Sequence, residues 1–193
     1  MRRPLLALAH AAVALRLKAN TLTLAGFAFG IGAALTIACG LPLWGLLLLL
    51  CSRLLDGLDG AVARLGTATD RGAFLDITLD FLFYASIPLA FALADPAANA
   101  LAAAVLLAAF MGTASSFLAF AVLAERRGLK SEAYPNKGLY YLGGLTEASE
   151  TLICFVLMCL WPAHFAAFAL AFAALCGLTI LGRLAAGWQA FRV

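Results

Sequence analysis

The sequence predicts an all-α integral membrane protein, with six transmembrane helices preceded by an N-terminal amphipathic interfacial helix. Two observations lead to this prediction. Hydrophobic residues make up 65% of the 193 residues and charged residues only 12%, whereas a soluble domain carries about 25% charged residues. Apolar stretches also follow one another with short polar breaks, and at about 20 residues per span the chain has room for roughly six spans.

The N-terminal segment, residues 1–20, is too short and too charged to span. Arg2, Arg3, Arg16 and Lys18 bracket its apolar middle, which is typical of a helix lying in the membrane interface. Asn20 is predicted to be the N-cap of the first span. The predicted spans, which form a single domain over residues 1–193, are about 21–40, 42–65, 72–94, 97–123, 139–161 and 163–186.

The distribution of Lys and Arg predicts the orientation. These residues concentrate in the N-terminal segment, in 65–71, in 125–138 and at the C-terminus, whereas the turns near residues 41, 95 and 163 hold none. Because cytoplasmic loops carry the excess of positive charge, we expect both termini and the 65–71 turn on the cytoplasmic side. The small net charge of +3 gives no support for nucleic-acid binding, and five cysteines without paired spacing predict neither disulfides nor zinc.

Four carboxylates lie within the second and third predicted spans, close to the turn that joins them. Asp56 and Asp59 are three residues apart, and Asp76 and Asp80 are four apart, so each pair shares one face of its helix. Ionisable groups at membrane depth are costly and indicate function. Four close carboxylates need a cation between them, and oxygen ligands favour Mg²⁺ or Mn²⁺ over zinc. Such a site suits phosphoryl chemistry on a diphosphate.

The spacing of these residues also resembles the signature of the CDP-alcohol phosphotransferase family. A run of seven residues, 65–71, separates the two halves of the motif, one fewer than in the family pattern. The matching positions are Asp56, Asp59, Gly60, Ala63, Arg64, Gly72, Asp76 and Asp80.

The resemblance implies transfer of a phosphatidyl or other phosphoalcohol group from a CDP-alcohol such as CDP-diacylglycerol to an alcohol, releasing CMP, in phospholipid biosynthesis. It implies that Asp80 is the general base on the acceptor hydroxyl, and that the protein is a homodimer in a bacterial inner membrane. The implied metal ligands are Asp56, Asp59, Asp76 and Asp80. The residues implied to bind CDP are Asp56, Gly60, Ala63, Arg64, Thr67 and Gly72.

The sequence leaves the acceptor open, with a phosphorylated polyol such as glycerol 3-phosphate favoured. Arg53 is either a charge-balancing partner of Asp56 or a lipid-phosphate contact, and Glu147 and Glu150 either support nearby cations or help to bind the acceptor. The residues considered for the acceptor or lipid phosphate are Arg53, Arg126, Lys130, Lys137, Glu147 and Glu150. Two other functions stay open: a small divalent-cation transporter and a prenyl-diphosphate transferase.

Overall fold

A computed structural model describes residues 2–15, 17–66, 69–128 and 145–192, and these residues are helical apart from short turns. The all-α prediction is thereby confirmed. In chain order the helices are α1 (Arg2–Ala14), α2 (Ala19–Ala38), α3 (Pro42–Leu65), α4 (Asp70–Ala94), α5 (Pro96–Arg126), α6 (Ala148–Leu160), a single 3₁₀ turn (Pro162–His164) and α7 (Phe165–Ala190).

Four helical segments in the described residues are long and apolar enough to cross a membrane: α2, α4, α5 and the segment Pro162–Ala190. Helix α3 has 24 residues, enough to span, but its part from Arg53 onward carries four charged side chains and is therefore less apolar. Helix α6 has only 13 residues, which at 1.5 Å per residue is about 20 Å, short of a hydrocarbon core of about 30 Å.

Two sequence predictions are wrong at helix starts. Helix α2 begins at Ala19 with Lys18 as its N-cap residue, so Asn20 lies inside the first turn and does not cap it. The fifth predicted span, 139–161, starts before the observed helix. Residues 145–147 are not helical, and α6 begins at Ala148. Residues 139–144 of that span lie outside the described residues.

The chain divides into two compact units, Met1–Pro96 and Ala97–Val193. In the first unit α2 packs against both α3 and α4, and α1 packs against α3. Small residues of α2 allow this close packing: a methyl group added at Gly26 would lie 3.3 Å from the backbone oxygen of Ser52 on α3. Glycine at this position therefore sets how closely α3 approaches α2.

Helix α1 buries one face and exposes the other. Ala9 and Ala12 are buried in a cluster with Ala61 and Val62 of α3. Large apolar side chains of α1 beside this buried face are exposed, among them Leu6 and Leu8. Helix α1 therefore braces the half of α3 that carries the aspartates and presents an apolar face to its surroundings.

The second unit contains α5, α6 and α7. Its buried core combines small residues with phenylalanines, of which Phe155 and Phe165 are fully buried. Arg183 of α7 donates a hydrogen bond from Nη1 to the backbone oxygen of Thr113 on α5 at 2.9 Å. Thr146 and Thr179 share a buried hydrogen bond of 3.0 Å, which connects the start of α6 to α7.

Candidate active site

Helices α3 and α4 bring three of the four predicted carboxylates together. Asp56, Asp59 and Asp76 each offer one oxygen, and these three oxygens lie within 4.8 Å of one another. We call these residues the aspartate cluster. The i,i+3 spacing on α3 places Asp56 and Asp59 on one face, and α4 contributes Asp76 to the same region.

The residues of the aspartate cluster differ in exposure. Asp59 is buried, with 5% of its surface exposed, whereas the side chain of Asp56 is 37% exposed and Asp76 is exposed. Oxygen Oδ2 of Asp59 is buried without a hydrogen-bond partner among the described residues. A buried carboxylate oxygen without a donor is destabilising, and a cation bound there would relieve that cost.

The fourth carboxylate, Asp80, does not belong to the aspartate cluster and pairs with Arg53. Nη1 of Arg53 donates to Oδ1 of Asp80 at 2.6 Å, and the same nitrogen lies 3.5 Å from Oδ1 of Asp56. The side chain of Arg53 is only 12% exposed. This geometry favours the charge-balancing interpretation of Arg53, with Asp80 as its nearest partner.

A small cavity of about 10 Å³ lies beside these groups, lined by Gly26, Arg53, Asp56, Asp76 and Asp80 among others. This is close to the minimum volume that a single water molecule occupies. The carboxylates therefore face a confined space of the size of one small ligand, inside the first unit.

The donor set of the aspartate cluster fits a hard divalent cation. All three ligand atoms are carboxylate oxygens, which suit Mg²⁺ or Mn²⁺. Oxygens bound to one Mg²⁺ at about 2.1 Å lie at most about 4.2 Å apart, so small rotations of these side chains bring them into range. The buried Oδ2 of Asp59 is the atom that gains most from such a ligand.

The predicted CDP-binding residues lie on the same two helices. A methyl group added at Gly60 would lie 3.3 Å from Nη1 of Arg64, so the Arg64 guanidinium covers this glycine. Gly72 donates its backbone N–H to Oγ1 of Thr69, the N-cap of α4, at 3.2 Å. A methyl group added at Gly72 would also lie 3.1 Å from Oδ1 of Asn20. Ala63 is partly buried on α3, and Thr67 lies outside the described residues.

The residues considered for the acceptor phosphate have other positions. Arg126 is exposed at the end of α5, and Lys130 and Lys137 lie outside the described residues. Glu147 and Glu150 form a capping box at the start of α6: each side chain accepts a hydrogen bond from the backbone N–H of the other residue. The capping box gives both acids a structural role at the start of α6.

Two residues near Arg53 were missed in the sequence analysis. Ser52 is fully buried, and its Oγ accepts a hydrogen bond from Nη2 of Arg53 at 3.2 Å. The ring of Phe83 lies under the same guanidinium, with Cζ 3.9 Å from the ring centroid. The spacing of Phe83, three residues after Asp80, places both on one face of α4, which is the only signal in the sequence.

Comparison with known proteins identifies the relatives of this chain. The family model for CDP-alcohol phosphatidyltransferase matches residues 16–181. A curated relative, inner membrane protein YnjF of Escherichia coli strain K12, is 55% identical over 167 residues, covering 86% of this chain and 81% of that protein.

Solved structures share the fold. A crystal structure of Mycobacterium tuberculosis phosphatidylinositol phosphate synthase with CDP-DAG bound matches with a TM-score of 0.76 at 22% identity, covering 96% of this chain and 94% of the other. A structure of the same enzyme in complex with manganese and citrate matches with a TM-score of 0.75 at 23% identity, covering 95% of this chain and 88% of the other.

Proposed function

Because the chain belongs to the CDP-alcohol phosphatidyltransferase family, a family of transferases of substituted phosphate groups, we propose that it transfers a phosphatidyl group from CDP-diacylglycerol to an alcohol and releases CMP. The family match favours this reaction over the two alternatives that the sequence left open, a cation transporter and a prenyl-diphosphate transferase. The acceptor that we propose is a phosphorylated polyol such as glycerol 3-phosphate.

The convergence of Asp56, Asp59 and Asp76, with oxygens within 4.8 Å of one another, is the observation that supports this proposal most directly. Three carboxylates from two helices repel one another at this range, and a shared cation would balance their charge. We propose Mg²⁺ or Mn²⁺, and the manganese in the related mycobacterial structure is consistent with this. Bound there, the cation would neutralise charge on the diphosphate of the donor.

The remaining motif residues then take separate roles. We propose that Asp80 accepts the proton of the acceptor hydroxyl. The hydroxyl oxygen forms a bond to the phosphorus of the phosphatidyl group, the bond from that phosphorus to the bridging oxygen of the diphosphate breaks, and CMP leaves with the electron pair. We propose that Arg64, whose fork of donors lies next to Gly60, contacts a phosphate oxygen of the donor, and that Gly72 leaves space for the donor at the start of α4.

We propose that the protein is a multi-pass protein of a bacterial inner membrane, as the name of its Escherichia coli relative suggests. In this arrangement α3 and the predicted span 139–161, of which α6 is the described helical part, complete six spans. Helix α1 lies in the cytoplasmic interface with Leu6 and Leu8 toward the lipid, since these side chains are exposed. The charge distribution supports cytoplasmic termini and a cytoplasmic active site. A homodimer is part of the same proposal.

Positive charge supports an anionic acceptor. Arg126 is exposed at the end of α5, and Lys130 and Lys137 follow it in the sequence. We propose that these residues attract the phosphate of the acceptor. Arg53 is assigned to the carboxylates instead, because its contacts with Asp80, Asp56 and Ser52 occupy the guanidinium.

The test is CMP release from CDP-diacylglycerol by the purified protein with Mg²⁺ or Mn²⁺, across glycerol 3-phosphate, inositol, inositol 3-phosphate, serine and no acceptor. CMP release that depends on one acceptor would establish the reaction and identify the substrate. Protein that binds Mn²⁺ but releases no CMP with any acceptor would overturn the proposal.

A matched pair of variants tests the role of the aspartate cluster. Asp59→Asn removes one ligand charge, and we expect Mn²⁺ affinity to fall by at least about tenfold, because ligand charge sets affinity at such sites. Asp70→Asn makes the same change at an exposed aspartate in the first turn of α4, outside the cluster, and should leave affinity and CMP release unchanged. Equal Mn²⁺ affinities of the two variants would mean that Asp59 is not a ligand of the cation.

A further inference from the structure

The guanidinium of Arg53 contacts three polar groups through two of its nitrogens, Nη1 and Nη2. It donates to Oδ1 of Asp80 at 2.6 Å and to Oγ of Ser52 at 3.2 Å, and it lies 3.5 Å from Oδ1 of Asp56. A planar guanidinium with contacts at its edges keeps one orientation. Among the described residues these contacts leave Nε without a hydrogen-bond partner, and they leave the flat face of the guanidinium open.

That face is covered by an aromatic ring. Cζ of Arg53 lies 3.9 Å from the centroid of the Phe83 ring, and Tyr84 offers a second ring at 5.7 Å. Phe83 is 1% exposed. Stacking on an aromatic face is favourable for a guanidinium, most of all where water is excluded.

The ring of Phe83 is itself held in place by helix α2. A methyl group added at Gly30 would lie 2.5 Å from Cδ2 of Phe83 and 3.1 Å from Oγ of Ser52. The ring therefore packs directly on the α2 backbone and has no space to retreat. Glycine at position 30 makes this packing possible.

We infer that Phe83 is a positioning residue: it supports the guanidinium of Arg53, which in turn orients the Asp80 carboxylate outside the aspartate cluster. The inference rests on the proposed function, in which Asp80 accepts the proton of the acceptor hydroxyl. A base works only within hydrogen-bond reach of that proton, and misplacement of about 1 Å costs up to about a hundredfold in rate. The hydrogen bond from Arg53 to Oδ1 fixes the direction in which the second oxygen points.

The test compares Phe83→Leu with Phe91→Leu. Both residues are buried on α4, at 1% and 2% exposure, and both substitutions replace a ring by a smaller apolar side chain. For Phe83→Leu we expect kcat to fall by at least about tenfold, while the KM for CDP-diacylglycerol and the Kd for Mn²⁺ stay within about twofold of wild type. For Phe91→Leu we expect kcat within about twofold of wild type.

Two results of this comparison would overturn the inference. Equal losses of kcat in the two variants would mean that loss of packing, and not orientation of Asp80, lowers the rate. A parallel loss of Mn²⁺ affinity in Phe83→Leu would mean that Phe83 acts on the aspartate cluster, directly or through the contact of Arg53 with Asp56, and not on the orientation of Asp80 alone.

A second measurement is independent of activity. In a double-mutant cycle on unfolding by SDS in mixed micelles, Phe83→Leu and Arg53→Gln should depart from additivity by at least about threefold in the unfolding equilibrium constant, because the two groups are in contact. Phe91→Leu combined with Arg53→Gln should be additive. If the wild-type protein releases no CMP, the proposed function fails, but the cycle still tests whether Phe83 and Arg53 interact. Additivity of Phe83→Leu with Arg53→Gln would overturn the inference.

Discussion

Substitution of Gly30 by alanine tests the packing beneath the candidate active site. The added methyl group would lie 2.5 Å from Cδ2 of Phe83, about 1 Å closer than a normal contact between carbon atoms. The Phe83 ring is 1% exposed and Ser52, on the other side, is fully buried, so neither side chain can move away into solvent. Overpacking of this kind costs about 1–3 kcal/mol.

The matched control is Gly32→Ala on the same helix. Its methyl group would meet only Cδ1 of Leu48, at an ordinary contact distance of 3.6 Å. Both substitutions gain about 1 kcal/mol of helix propensity, so that gain cancels in the comparison. We therefore expect Gly30→Ala to be less stable than Gly32→Ala by about 1–3 kcal/mol, the overpacking cost alone.

The assay is unfolding by SDS in mixed micelles, followed by the fluorescence of Trp44, Trp161 and Trp188. The free energy of unfolding is compared between the two variants under the same conditions. Equal free energies, or a more stable Gly30→Ala variant, would refute the packing of Phe83 on α2. Activity gives a second comparison, because displacement of the ring should lower the kcat of Gly30→Ala below that of Gly32→Ala.

Two further predictions separate roles within the proposed site. Asp80→Asn should lower kcat by at least about a hundredfold while Mn²⁺ affinity changes little, because Asp80 lies outside the aspartate cluster; undiminished turnover in this variant would exclude Asp80 as the base. Glu150→Ala removes half of the capping box and should lower the free energy of unfolding by about 1 kcal/mol without changing the acceptor KM. An increase in the acceptor KM would instead indicate that Glu150 contributes to the acceptor site.

The predictions that depend on local spacing agree well with the structure. The second predicted span, 42–65, has the same bounds as α3, because Pro42 starts the helix and Gly66 follows its end. Helix α4 ends at Ala94, just before Asp95 and Pro96. The i,i+3 spacing of Asp56 and Asp59 was sufficient to expect a shared face, and the structure adds Asp76 to it.

The partners of individual charges were not predictable from the sequence. Asp76 and Asp80 are one turn apart, about 6 Å along the helix, and which of them meets the α3 carboxylates depends on the rotation and crossing of α4. The family resemblance implies that all four aspartates are metal ligands, whereas in the structure Asp80 pairs with Arg53 at 2.6 Å. The predicted span 139–161 places Glu150 well inside a helix, whereas it lies in the first turn of α6.

Helix α2 carries no charged residue, yet its glycines determine the geometry of the charged groups. Gly26 brings the backbone of α2 to within contact of α3 at Ser52 and Asp56, and Gly30, one turn later, accepts the ring of Phe83. We expect a larger residue at either position to disturb the packing of α2 on its neighbours and, through it, the contact of Arg53 with Asp80. The proposed acid–base geometry therefore depends on two glycines that carry no reactive group. A search confined to ionisable residues does not find them.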